Sequence, residues 1–288
     1  MANGWLIYSS EDAIENKEYI DWFISEANKQ GLYLQLILRE ELQVGVVQNV
    51  YSVLIDEKES TLPNFAVVRT VEPILNKQLE QLGVHVFNSS IISELCNHKS
   101  KTYFEMARLG VPMVDTFFIN GKNLTEKPPL SNHPFVIKEA TGRGGKQVYF
   151  IKDNDEWLTF LLKCSPIDYV IQSTKVQIGK DLRVFVVGKE IVGAVLRESN
   201  TDFRANFKLG GSANLYQLSE GERALIMSII KHFDFGMVGI DFLIGLDGEL
   251  LFNEIEDVVG SRTLSAVSDI NIVEKYVSFI SKTIKRES

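Results

Sequence analysis

The stretch at residues 134–150, P-F-V-I-K-E-A-T-G-R-G-G-K-Q-V-Y-F, sets a lysine and a glycine-rich turn between two apolar runs, and it limits what this chain can build more than any other segment. Glycine lets the backbone come close to a ligand. Lys138, Arg143 and Lys146 surround those amides with positive charge, so the turn reads as a pocket for phosphate. Two common phosphate loops are excluded. G-x-x-x-x-G-K-[ST] fails at Ala140 and Gln147, and G-x-G-x-x-G fails at Gln147. The alternating segment 147–151 after the glycines reads as a second strand, where either motif would start a helix. A strand, a flexible loop and a strand suggest a flap that closes over a nucleotide.

With 288 residues the chain has material for two or three compact units. A net charge of -8 argues against nucleic acid or an anionic membrane surface as a partner, because most of the surface would be repelled. The local basic residues are then left to serve local anions. Cys96 and Cys164 form no C-x-x-C pair, which predicts buried thiols in a reducing compartment. Glu11, Asp12 and Glu15 close behind a short apolar run do not make a signal peptide, and no apolar stretch is long enough for a bilayer, so the expected location is the cytoplasm.

Apolar runs at 5–8, 32–38, 50–55 and 65–68 alternate with amphipathic segments at 13–28 and 71–82, which predicts a mostly parallel sheet. This region ends near Ser93. From about Asn97 a helix is predicted that Gly110 stops, with Pro112 just beyond. From Asp115 the texture changes to strand pairs at 115–119, 134–140, 147–151 and 169–172, then 182–187 and 190–196 across Gly188-Lys189. Such pairs predict antiparallel α+β layers. Ser219 and Glu222 form a capping box for a helix reaching about Phe233; strands at 238–244 and 249–255 flank a turn, and a last helix covers about 272–284. The loop 121–130, with Pro128-Pro129, reads as an insertion.

The chemistry concentrates in the last strand pair. Asp241 sits in G-I-D-F-L; Glu254 and Glu256 sit in N-E-I-E-D, where a spacing of two on a strand puts both carboxylates on one face. Carboxylates so placed repel unless something positive lies between them, and magnesium is held by one or two carboxylates plus the phosphates of its nucleotide. The alternative is a solvated edge strand. A second constellation is Asp181-Leu182-Arg183, Arg197, and Phe203-Arg204-Ala205-Asn206 ahead of Gly210-Gly211. Arg183 shares a strand face with Asp181, so a structural ion pair between them is one reading. Arg197 and Arg204 have no such partner at neighbouring spacing, and their planar forks suit a site handling a phosphoryl group and an acid. His85, His98, His133 and His232 share no spacing suited to a metal.

Lys99 after Asn97, Lys138 ahead of G-R-G-G, D-L-R-V-F-V-V-G, D-F-R-A-N-F-K-L-G-G, G-I-D-F-L and F-N-E-I-E together resemble, in order and spacing, the ATP-grasp superfamily. The branch they look most like contains the ribosomal protein S6 glutamate ligase and the lysine-biosynthesis ligases. The resemblance implies an N-terminal α/β pre-ATP-grasp domain at 1–95, then two α+β subdomains, 96–172 with the glycine flap and 173–288 with the metal site, that clamp ATP between antiparallel sheets.

The resemblance also implies a carboxylate–amine ligase: ATP phosphorylates a substrate carboxylate, and an amine attacks the acyl phosphate to give an amide, ADP and phosphate. By position, Lys99, Lys138 and the loop residues Gly142, Arg143, Gly144 and Gly145 would hold the nucleotide phosphates, Gln172 the adenine edge and Asp181 the ribose side, with Arg183 beside it. Arg204 would face the γ-phosphate, with Asn206 and Arg197 near the substrate acid. Asp241, Glu254 and Glu256 would hold magnesium, one ion or two, with manganese as a substitute. Implied partners are small carboxylate and amine substrates, amino acids or a peptide, and a homodimer is the implied assembly. Alternatives are a ligase or cyclase modifying a peptide or protein, and a nucleotide-binding regulatory module without turnover. The segment 256–262 departs from the family, which commonly has Asn at the last metal position followed by a small residue and Pro-Gly. Acceptor identity therefore does not carry over, and Ser261 and Arg262 are candidates either to read the substrate or to pack the loop.

Overall fold

The computed structural model describes residues 2–130, 132–142, 147–205 and 211–287. The expected sites Arg143, Gly144, Gly145 and Asn206 lie outside these residues.

The first region contains β1 (Ala2–Tyr8), α1 (Ser10–Glu15), α2 (Lys17–Lys29), β2 (Leu32–Leu38), β3 (Leu42–Val47), β4 (Val50–Ile55), β5 (Lys58–Glu59), β6 (Phe65–Val68), α3 (Pro73–Gln81) and β7 (His85–Phe87). Strands β2-β1-β6-β7 form a parallel sheet in that order. Its runs W-L-I-Y and F-A-V-V are buried throughout because both faces are covered. Ile20, Phe23 and Ala27 of α2 close one face and Leu75 and Leu79 of α3 the other.

The run 50–55 is a strand, but it does not join the parallel sheet. It pairs antiparallel with β3 and β5 in a separate three-stranded ribbon. Gln48 and Asn49 both take positive φ, 51° and 66°, and make the tight turn between β3 and β4 without any glycine to announce it. An apolar run shows a strand and says nothing of which neighbour it will pair with.

The second region contains α4 (Ser90–Cys96), α5 (Lys99–Arg108), β8 (Thr116–Asn120), β9 (Phe135–Glu139), β10 (Val148–Ile151), α6 (Asn154–Leu161) and β11 (Asp168–Ser173). Gly110 ends α5 as expected. At φ +70° its N–H bonds the Ala107 carbonyl at 3.0 Å, and the Val111 N–H reaches back to Met106 at 3.0 Å. The strands form an antiparallel sheet in the order β10-β9-β11-β8. Trp157 of α6 fills its core and donates its indole N–H to Thr125 and Glu126, tying down the loop that follows β8.

The third region contains β12 (Val176–Val187), β13 (Glu190–Glu198), β14 (Ser212–Leu215), α7 (Glu220–His232), β15 (Met237–Gly245), β16 (Leu250–Glu256), α8 (Arg262–Val267) and α9 (Ile272–Glu287). The antiparallel order is β14-β13-β12-β15-β16. Ser219 and Glu222 cap α7 reciprocally, as the sequence predicts. One face of this sheet, with Leu182, Val184 and Val186, packs on Ile226, Ile229 and Ile230 of α7. The other face changes character along β12. Phe185 and Val187 join α9 and α2 in an apolar core, while Asp181 and Arg183, earlier on the same face, line a cavity. Asn88, at the end of the parallel sheet, donates to the carbonyls of Met237 and Asp257 and so joins the first region to the third.

Candidate active site

A cavity of about 570 Å³ runs between the two antiparallel sheets and the ends of β1 and β6, and it gathers residues from all three regions. Among those the sequence singled out, Lys99, Lys138, Gly142, Gln172, Asp181, Arg183, Arg197, Arg204, Asp241, Glu254, Glu256 and Arg262 line it. Ser261 does not; it is buried at the start of α8.

Register explains the acidic cluster. Asp241 lies opposite Glu254 across β15 and β16, so the two share a face, and Glu256 follows two residues on. Oxygens of the three carboxylates lie within 4.8 Å of one another. The pairing then slips: Asp241 faces Glu254 but Phe242 faces Phe252, leaving Asn253 as an extra residue in a bulge. That bulge aims the Asn253 side chain into the cavity, where its Oδ1 accepts from the Lys138 ammonium at 2.6 Å. Sequence reasoning quoted N-E-I-E and missed the asparagine.

The arginines pair across strands. Arg183 does not bridge to Asp181. It holds Asp241 with two N–H bonds of 2.7 Å and reaches Glu256 at 2.9 Å. Arg197 has the partners that the sequence did not reveal: it grips both oxygens of Asp181, at 2.6 and 2.8 Å, and touches Asp241 at 2.9 Å. Arg204 is paired too, with Asp202 through bonds of 2.9 and 2.8 Å, and lies over the Phe203 ring. Burial alone would push the Asp241 carboxyl up, but the guanidiniums of Arg183 and Arg197 outweigh it and hold the group down at about 2. Burial raises Glu256, and its acidic neighbours Asp241 and Glu254 add to that.

Two lysines face the acids. Lys99 opens α5, donates to the Gly142 carbonyl and lies 3.7 Å from Glu254. Burial lowers the Lys138 ammonium to about 8 against the pull of Glu254. Gln172 is buried, and its amide nitrogen is spent on the hydroxyls of Tyr103 (2.8 Å) and Thr116 (3.1 Å). Its Oε1 accepts no hydrogen bond among the described residues. A buried acceptor left open beside a cavity fits a ligand donor such as an adenine amino group. Three carboxylates with hard oxygen donors fit magnesium, and the lysines fit the phosphates that would complete its coordination.

Arg69, Tyr8, Asp12 and Asn16 also line the cavity and were not anticipated. Tyr8 and Arg69 stand at the carboxyl ends of the parallel strands β1 and β6, where ligands of open α/β sheets bind; that position is the signal that could have found them.

A cleft between two antiparallel sheets, with Lys99 and Lys138 facing a carboxylate cluster that arginines of its own sheet hold in place, has the layout of a nucleotide-dependent ligase of the ATP-grasp class. Residues 97–280 match the RimK-like ATP-grasp domain, and the chain belongs to that family. N-acetylaspartylglutamate synthase A of Mus musculus is 30% identical over 265 residues, covering 85% of this chain and 69% of that protein. A probable alpha-L-glutamate ligase of Legionella pneumophila is 29% identical over 215 residues, covering 73% of this chain and 71% of its own length. In fold, the crystal structure of a RimK domain ATP-grasp protein from Sphaerobacter thermophilus superposes with a TM-score of 0.74 at 16% identity, covering 96% of this chain and 99% of that one. The chain is an ATP-dependent, magnesium-using carboxylate–amine ligase. No helix among the described residues is long and apolar enough to cross a membrane.

Proposed function

We propose that the ligase joins the carboxylate of an amino acid or small peptide to the amine of another. The acid's carboxylate oxygen attacks the γ-phosphorus of ATP and ADP leaves; the amine then attacks the acyl carbon, phosphate leaves, and the surplus proton passes to water. Lys99 and Lys138 hold the phosphates at fixed positions, and Arg204 neutralises the group in transfer, which asks for charge and alignment and little covalent help. Asp241, Glu254 and Glu256 would hold one or two magnesium ions, or manganese, which offset the charge of the phosphates when bound. Arg183 and Arg197 fix Asp241 in place. Asp181 keeps free lone pairs for a ribose hydroxyl beside its bonds to Arg197, and the open Gln172 Oε1 receives the adenine amino group.

The observation that supports this reading is the meeting of Lys99, Lys138 and the Asp241–Glu254–Glu256 cluster in one cavity, phosphate-binding charge within a side chain's reach of metal-binding charge. A module that has given up turnover would be expected to have lost a carboxylate or a lysine of this set, and all five are present. Pairs of amino acids and dipeptides, incubated with ATP and magnesium, are expected to release ADP and phosphate with a product whose mass is the sum of the pair less one water. Formation of AMP, or no ADP with any pair, overturns the reading; turnover only with a peptide partner moves it to a peptide-modifying ligase. We also propose a homodimer, which light scattering on the purified protein would confirm as twice the chain mass or refute as one.

A further inference from the structure

The cavity continues past the acidic cluster to an end lined by Tyr8, Asp12, Asn16, Arg69 and Arg262. Arg69 is 8% exposed. A charge so placed is costly unless it is paired. Its Nε donates to the Tyr8 hydroxyl at 3.3 Å and its Nη2 to the Val259 carbonyl at 2.8 Å, while the Tyr8 and Tyr19 rings flank it with centroids at 6.0 and 5.6 Å. Both hydrogen-bond partners are neutral, and no carboxylate among the described residues pairs with it. Burial pushes the Tyr19 phenol up to about 12 and raises Tyr276 as well, so neither supplies a negative charge. A guanidinium has five N–H donors, and among the described residues only these two bonds occupy them. Arg262, exposed at the same end, donates to Asn16 Oδ1 at 3.0 Å and likewise has no acid partner among the described residues.

We infer that Arg69, with Arg262 beside it, binds a carboxylate of the substrate that takes no part in the reaction, so that the ligase selects small molecules carrying a second, free acid group. The inference rests on the ligase reading, which assigns the reacting carboxylate to the metal end. Among the lining residues named at this end, two guanidiniums face one carboxylate, that of Asp12, which itself accepts from the Ser9 hydroxyl at 2.8 Å, and this leaves the lining with one surplus positive charge. That balance suits a carboxylate better than a phosphate dianion, and the planar fork matches a carboxylate in shape. Reach agrees. Val259, to which Arg69 is bonded, lies three residues after Glu256, and three residues span at most about 11 Å. A molecule of amino-acid to dipeptide size can therefore bridge the guanidinium and the metal end.

The test is calorimetric titration of the full chain, loaded with magnesium and a non-hydrolysable ATP analogue, with L-glutamate, L-aspartate, glutarate and N-acetyl-L-glutamate, and with the amide of each. At least one acid is expected to bind, and Arg69→Met to weaken it by about 10- to 100-fold, the loss of a charged hydrogen-bonding partner. Its amide is expected to bind weakly and equally to both proteins. Arg69→Lys, which keeps the charge and one donor to Val259, is expected to fall between them. Unchanged affinity for the ATP analogue verifies that each variant is folded. Binding of glutamate or aspartate alone places the free carboxylate on the amine substrate; binding of glutarate or the N-acetyl acid places it on the acid substrate. No binding of any acid, or a preference of acid over amide that survives in Arg69→Met, overturns the inference. Turnover with that preference intact would remove this site and leave the ligase reading; Arg69-dependent binding without turnover would do the reverse.

Discussion

At the metal end of the cavity each guanidinium has its carboxylate: Arg183 with Asp241 and Glu256, Arg197 with Asp181 and Asp241, Arg204 with Asp202. At the other end Arg69 and Arg262 touch only neutral acceptors among the described residues. The first arrangement is complete before any ligand arrives, so its charges are held at fixed positions and need little rearrangement during the reaction. The second lacks its counter-charge, which the substrate is in a position to bring. On the reading proposed above, the machinery that would serve every turnover is self-balanced, and the part that would choose a substrate in the same cavity is not.

The sharpest way to break this comparison is at the acids. Glu254→Ala is expected to cut ADP formation by about a thousandfold or more while circular dichroism and melting stay near those of the parent; near-normal turnover would remove the metal assignment. Next comes Arg197→Met, which leaves the Asp181 carboxylate buried and alone. It should cost about 3 kcal/mol in a urea titration, and a loss of only a few tenths would mean that the balanced end is not held by its pairs.

Lys138→Ala should weaken ATP binding by about 10- to 100-fold. The sign of its pH response follows from the ammonium being lowered to about 8. Below that pH the group is charged and attracts phosphate; above it the charge is lost, so ATP affinity should fall between pH 7 and 9. In Lys138→Arg, which does not titrate there, the profile should be flat across that window. The smallest effect is expected at the rim, where Arg262→Ala should weaken acid binding about two- to fivefold at low salt and by less at about 0.5 M salt, because an exposed charge is screened. A loss there as large as that of Arg69→Met would mean that both arginines share the anchor equally.

What the sequence revealed was local. The Gly110 stop, the Ser219 and Glu222 box and the common face of Glu254 and Glu256 each follow from spacing along one segment, and all three are present. Partner choice between strands was not legible. Arg183 and Asp181 share a face, but two residues of strand separate them by about 6–7 Å. Residues directly opposite in an antiparallel pair stand about 4.5–5.5 Å apart. The register places Asp241 opposite Arg183 and Arg197 opposite Asp181, and the nearer partners win. The same limit hid Asn253, because a bulge exists only between two strands, and it hid the place of β4, whose run of apolar residues fits either kind of sheet. Arg69 follows the short strand β6 with no motif around it in the sequence. Its meaning depends on Val259, 190 positions away.

The two characters of β12 bear on how the enzyme can fail. Sliding this strand by one position against β15 would turn Asp181 and Arg183 toward the oily layer under α7 and present Leu182 and Val184 to the nucleotide. Such a molecule would lose its packing and its chemistry together. A population of partly active, mis-registered enzyme therefore has no place to accumulate: the chain that has paired its strands wrongly is also the one that cannot persist.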